Sequence, residues 1–405
     1  MLDIQPDNNG IYVEGNKGWF ISRRFNQLYE INLITNQCTF LAELPESGYN
    51  YARYNTLCYK YNNSIWCLPD RSNKIWIYNL ISGDFSYILM PLKYTERWQI
   101  RAIHRLDNFL FLFSLYGNCI CKVNLNEKNV NIVFYFSVET NKKIGACMFE
   151  RDMAYMVVNA ETSYVCVVNL NTYKQEKYLI DNLDNKFNTI CKKKSKLFLT
   201  GNKKEVVIFD LDNKSIRILN VFPEGFGHIN FLFLHPTAIM PINQEFGQNK
   251  EAMFSDSFVL DEKVWFIPLR TSMLLYLDTN KYEIREVIFE NETENEVSIQ
   301  RAGMKMYKYF LEFVETEKMF RIYSFMTSQH YVIDTVSLES KLCEPSYSLI
   351  NSKQVIQKYL QPRKYFSEGY FLDNEMYEVA IEGDVILNAE EKNIIGDIIY
   401  SYLKK

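Results

Sequence analysis

Ile75-Trp76-Ile77-Tyr78-Asn79-Leu80 is a short apolar run closed by an amide, and the chain returns to it again and again. Leu28-Tyr29-Glu30-Ile31-Asn32-Leu33 comes earlier; Ile120-Cys121-Lys122-Val123-Asn124-Leu125, Val165-Cys166-Val167-Val168-Asn169-Leu170 and Val206-Val207-Ile208-Phe209-Asp210-Leu211 come later. Leu274-Leu275-Tyr276-Leu277-Asp278-Thr279 is a sixth copy, and Met319-Phe320-Arg321-Ile322-Tyr323-Ser324 reads as a degraded seventh. The copies start 47, 45, 45, 41, 68 and 45 residues apart. Strands recurring at roughly 40–50 residues mark the blades of a β-propeller. The expectation is an all-β, seven-bladed β-propeller with a small α/β C-terminal appendage.

Each copy sits in the same setting. In the second unit, Asn55–Tyr59, Ile65–Leu68, Lys74–Asn79 and Phe85–Met90 read as four strands, separated by Asn-, Asp-, Ser- and Gly-bearing turns. Short β-branched and aromatic runs between such turns are what hairpins require. The Asn or Asp that closes each anchor can bond its own backbone where the chain leaves the strand, which is a structural role. The propeller is expected to occupy 1–338, with an insertion at 221–252 between blades five and six, and 339–405 to form the appendage. In that appendage Asn351-Ser352-Lys353-Gln354 resembles a capping box, and Ile394, Ile395, Ile398, Ile399, Tyr402 and Leu403 share one face of a final helix.

An anchor of the form apolar-x-apolar-apolar-Asn/Asp-Leu-x-Thr, repeated over about residues 10–336, resembles the blades of seven-bladed propellers of the YVTN, NHL and kelch-like type. The resemblance implies a blade and no specific family. Trp-Asp dipeptides, the Ser-x-Asp-x-Gly-x-Thr-Trp box of sialidases and the double glycine of kelch repeats are all missing. A composition rich in Asn, Lys, Ile and Tyr is similar to that of proteins from AT-rich bacterial genomes.

Bulk properties narrow the function. A net charge of -4 over 405 residues argues against a whole-surface attraction to nucleic acid or anionic membrane. No window approaches the ~18 apolar residues of a spanning helix, and Met1–Asp7 lacks the basic and apolar regions of a secretory signal. The nine cysteines form no CxxC pair, which suits a reducing cytoplasm. Cys119 and Cys121 share a strand face, where packing outweighs ligation. His104, His228, His235 and His330 show no metal-ligand spacing, so no metal and no cofactor is expected. Gly-x-Ser-x-Gly and phosphate-binding glycine loops are absent. The run Glu290–Glu296 reads as a solvated loop.

One positional signal remains. Arg53, Arg101, Lys143, Lys186 and Arg301 precede their anchors by 22, 19, 22, 20 and 18 residues, on the crossovers that enter the innermost strands. In a propeller these crossovers emerge on one face, around the mouth of the central channel. Tyr51, Tyr54, Tyr94, Trp98 and Phe187 stand nearby as stacking surfaces. Taken singly, such charges are ordinary loop residues worth little. Taken together they form a positive funnel, and each Arg–anion bond contributes about 1.5–3 kcal/mol if desolvated.

The candidate ligand-binding set is therefore Arg53, Arg101, Lys143, Arg301, Tyr54, Trp98 and His104. It points to a non-catalytic module that recognises a protein, peptide or glycan-type ligand. Two alternatives stay open: a lyase or carbohydrate-active enzyme in the same mouth, with His104 and a crossover carboxylate as its acid–base pair, and a protein-interaction module acting through the final helix.

Overall fold

The computed structural model describes residues 11–347 apart from 22–26, 46–54, 70–71, 92–99, 115–118, 136–142, 181–184, 228–251, 270, 272, 288–303, 307–318, 325–329 and 344–345. The chain is an all-β, seven-bladed propeller: seven sheets, each a meander of four antiparallel strands, with a fifth strand added to the first. Blade 2 is typical, with strands Asn55–Tyr61, Ser64–Pro69, Lys74–Asn79 and Phe85–Leu89. The first strands of the blades are Tyr12–Glu14, Asn55–Tyr61, Ile100–Leu106, Lys143–Glu150, Thr189–Lys193, Phe254–Leu260 and Met304–Met306. Those of blades 1 and 2, and of each neighbouring pair from blade 3 to blade 7, touch, so the first strands line the central channel.

The anchors are the third strands, and their closing Asn or Asp does what its chemistry allows. Asn32 Oδ1 accepts from Ile34 N at 2.9 Å and Thr35 N at 3.1 Å. Asn79, Asn124, Asn169, Asp210, Asp278 and Asp334 bond the backbone of the following turn in the same way. Four residues beyond each stands a residue of positive φ: Asn36, Gly83, Lys128, Tyr173, Lys214, Tyr282 and Leu338. The turn therefore demands a left-handed residue at one fixed place, and only blade 2 supplies glycine for it.

This register corrects the seventh copy. Met319–Ser324 is the second strand of blade 7, and the anchor is His330–Asp334. The apolar alternation of Met319–Ser324 mimics an anchor, but no acidic or amide residue closes it.

The core is a set of apolar layers between blades. Along each second strand alternate residues face opposite neighbours. The third residue faces the following blade: Trp19, Trp66, Phe111, Tyr155, Phe198 and Trp265 each fill such a layer. In blade 7 that place belongs to Arg321, which donates to Leu33 O at 2.7 Å and Asn36 Oδ1 at 3.1 Å in blade 1. One continuous cluster joins blades 6, 7 and 1. Ser346–Tyr347 then pairs in parallel with Gln37 and Cys38 on the outer edge of blade 1. The ring is thus closed by a polar tie and by a strand contributed from beyond blade 7.

The strands run past residue 338, since Ser340–Cys343 is the outer strand of blade 7. The expected appendage helices at 351–361 and 388–405, and most of the insertion, lie outside the described residues. The start of the insertion returns to the core, with Phe226 stacked on Phe222 at 4.5 Å and on Phe254 at 5.8 Å. Among the described residues no helix is long and apolar enough to cross a membrane.

Candidate functional site

The crossover mouth of the channel is built on a repeated irregularity. Blade 2 pairs Asn55 with Pro69 and Leu57 with Leu68, which leaves Thr56 as an extra residue. Blade 3 leaves Arg101 between Ile100 and Ala102, blade 4 leaves Gly145, and blade 6 leaves Ser255. Asn188 takes the same place in blade 5, where its N–H donates to Thr200 O at 2.9 Å. A β-bulge re-aims one residue of a strand and is favoured at rims and binding sites. Five consecutive blades therefore set one row around the mouth: Thr56, Arg101, Gly145, Asn188 and Ser255. Arg101 is the one charged member.

Side-chain amides hold this rim between blades 4 and 5. Asn159 grips the backbone of Phe187 at both ends, Nδ2 donating to O at 2.6 Å and Oδ1 accepting from N at 3.0 Å. Asn185, fully buried, donates to Glu205 Oε1 at 2.8 Å and accepts from Asn202 N at 3.1 Å. Asn188 Nδ2 donates to Phe254 O in blade 6. Gly145 is required by this packing, because a Cβ there would stand 1.9 Å from Phe187 O. Hydrogen-bonded amides such as Asn159 and Asn185 rigidify the backbone they hold.

The expected ligand residues fall on this frame unevenly. Arg53, Tyr54, Trp98 and Arg301 lie outside the described residues. Arg101 is the bulge residue of blade 3, and Lys143 is the first residue of the innermost strand of blade 4. Lys186 shares the register of Lys143; it is exposed, and its Nζ donates to Ala160 O. Phe187 is fully buried, so it offers no stacking surface.

His104 lies three residues beyond Arg101, toward the opposite mouth. Its Nε2 is 2.6 Å from Arg151 O and its ring stacks on Phe149 at 4.5 Å, so it ties blade 3 to blade 4. Burial lowers its pKa, against the raising effect of the Arg151 carbonyl. Its hydrogen-bond partner is a backbone carbonyl rather than a crossover carboxylate. Among the described residues no group of three His, Cys, Asp or Glu side chains could hold a metal. Burial pushes the Cys58 and Cys191 thiols up to about 12.

The opposite mouth carries an arrangement that spacing alone did not reveal. Lys60 pairs with Glu14 of the preceding blade and stands 5.6 Å over Trp19. Lys192 repeats this in blade 5, with Glu150 at 2.5 Å and Tyr155 at 5.2 Å. Arg105 holds the same register in blade 3, but the preceding blade presents Tyr61 where the others present glutamate. The signal was legible once the second strands were aligned on their turns.

No protein-family model matches the chain, and no curated protein matches it. Among solved structures it is similar to the computationally designed Ika8 protein, at 10% identity and a TM-score of 0.52, over 85% of this chain and 88% of that one. A chain of the nidogen/laminin complex aligns over 66% of this chain and 90% of its own, at 9% identity and a TM-score of 0.40. At such identity the likeness to the designed protein is one of fold alone.

Proposed function

We propose that this protein is a non-catalytic binding propeller whose crossover mouth recognises a peptide, protein or glycan-type ligand that carries negative charge. The observation that supports this reading is the bulge row, which sets the backbone of Arg101 among small and polar residues at the rim. A guanidinium suits planar oxyanions because its donors form a fork. A rim fixed by side-chain amides suits recognition, since little order must be gained on binding. Lys143, the first residue of the blade 4 innermost strand, and Lys186, three residues before that of blade 5, add positive charge to the same crossovers.

The experiment is an array of acidic peptides and anionic oligosaccharides probed with the native protein and with the Arg101→Ala/Arg301→Ala double variant. The reading expects ligands held by the native protein to be lost by the variant at an unchanged melting temperature. A double variant that unfolds, or that keeps every ligand, removes the support.

A further inference from the structure

The turn-side mouth has its own unfilled chemistry, independent of the crossover reading. At one register of the innermost strands, Lys60, Arg105 and Lys192 each reach back to the preceding blade. Glu14 and Glu150 neutralise the two lysines, whose side chains are only 18% and 13% exposed. Arg105 is exposed, and Tyr61 replaces its glutamate.

The guanidinium is nevertheless held in place. It lies 5.2 Å over the Tyr61 ring, its Nε donates to Asp107 O at 2.8 Å, and its Nη1 reaches the Tyr59 hydroxyl at 3.5 Å. Asp107 thus meets it through a backbone carbonyl, and among the described residues no carboxylate pairs with it. The Tyr61 hydroxyl donates to Asn126 Oδ1 at 2.6 Å, with Asn108 Oδ1 3.3 Å away, which fixes the ring beneath the guanidinium. The outcome is a fixed guanidinium with spare donors at one channel mouth.

We propose that Arg105 and Tyr61 form a second binding site that takes a glutamate side chain of a peptide partner, in the role that Glu14 and Glu150 play in the sister blades. The ligand class follows from the repeat, which shows what this slot holds when the chain supplies its own counterion. Arg stacked on an aromatic ring retains its in-plane donors for a bidentate carboxylate.

The test is fluorescence anisotropy of a labelled, end-capped hexaglutamate at low ionic strength, where exposed ion pairs are least screened. Arg105→Gln is expected to weaken binding by at least about tenfold. Tyr61→Glu, which restores the internal counterion, is expected to do the same with the melting temperature unchanged or raised. If Tyr61→Glu fails to fold, Arg105→Gln alone decides. Equal binding by native protein and Arg105→Gln would overturn the site, as would full affinity in a folded Tyr61→Glu protein. Capture of trigalacturonate but not hexaglutamate would overturn the peptide assignment. Binding abolished by Arg101→Ala and untouched by Arg105→Gln would overturn this site while supporting the crossover mouth.

Discussion

Arg321 donates to Leu33 O at 2.7 Å across the seam between blade 7 and blade 1, at the register where six other blades carry an aromatic ring. The seam is the one layer in which the repeated ring is replaced by a charged fork on a turn carbonyl. Chain connectivity joins every other pair of neighbouring blades directly. Here the two blades stand at opposite ends of the described chain, and the Arg321 tie, the shared apolar layer and the Ser346–Tyr347 strand hold them.

Arg321→Ala is therefore expected to destabilise the fold by about 1.5–3 kcal/mol, the range for hydrogen bonds to a charged group. Urea unfolding measures it. Arg285→Ala, which removes an exposed pair with Glu283, serves as the control and is expected to leave the midpoint unchanged.

Two tryptophans at equivalent places differ in what their ring N–H meets. Trp19 Nε1 donates to Glu30 Oε2 at 3.0 Å, whereas Trp66 Nε1 is buried opposite Ile77 with no acceptor among the described residues. Replacement by Phe removes a bond in one case and an unsatisfied donor in the other. Trp19→Phe is expected to cost about 1 kcal/mol more than Trp66→Phe in matched thermal melts.

His104 links stability to pH. Burial lowers its folded pKa, so the unfolded chain binds the proton more readily. Its contribution is full above the ordinary histidine value of 6.5 and is lost as the pH falls below that value toward the folded pKa. His104→Phe is expected to flatten this part of the stability profile. Parallel profiles for the two proteins between neutral pH and pH 5 would refute the assignment.

Gly145→Ala tests the bulge row. Its Cβ would meet Phe187 O and, at 2.4 Å, Asn159 Nδ2, the two atoms that join the blade 4 rim to the blade 5 crossover. A loss of about 1–3 kcal/mol is expected, as for other overpacked sites. Denaturant unfolding with hydrogen exchange at Phe187 locates the damage.

Much of the architecture was legible because one chemical requirement repeats. An Asn or Asp must close each anchor, and the turn beyond it sets the next strand. Six anchors were found this way. The seventh was mistaken because the second strand Met319–Ser324 has the same apolar alternation at the same 45-residue step. The seven residues of positive φ beyond the anchors would have flagged the true one at Leu338, but most carry side chains that do not announce that conformation.

The candidate site was less legible. Spacing from the anchors placed Arg101 and Lys143 in one class, yet Arg101 is itself the bulge residue of its blade, whereas Lys143 lies two positions before the equivalent residue, Gly145. A bulge carries no sequence mark, so counting back from the anchor does not show which residue occupies it. His104 was near Arg101 in sequence, but three extended residues separate them by ~10 Å. The glutamate missing from the Arg105 slot became visible only by comparing blades in register.

The most direct test of the account is a titration of the strongest ligand from the array against native protein, Arg101→Ala and Lys214→Ala. Lys214 lies on the opposite, turn-side rim, where its ammonium sits over Tyr178. The account predicts a loss of at least about tenfold for Arg101→Ala, the scale of one charged hydrogen bond, and an unchanged affinity for Lys214→Ala. Equal affinities for all three proteins, or equal losses in both variants, would contradict it.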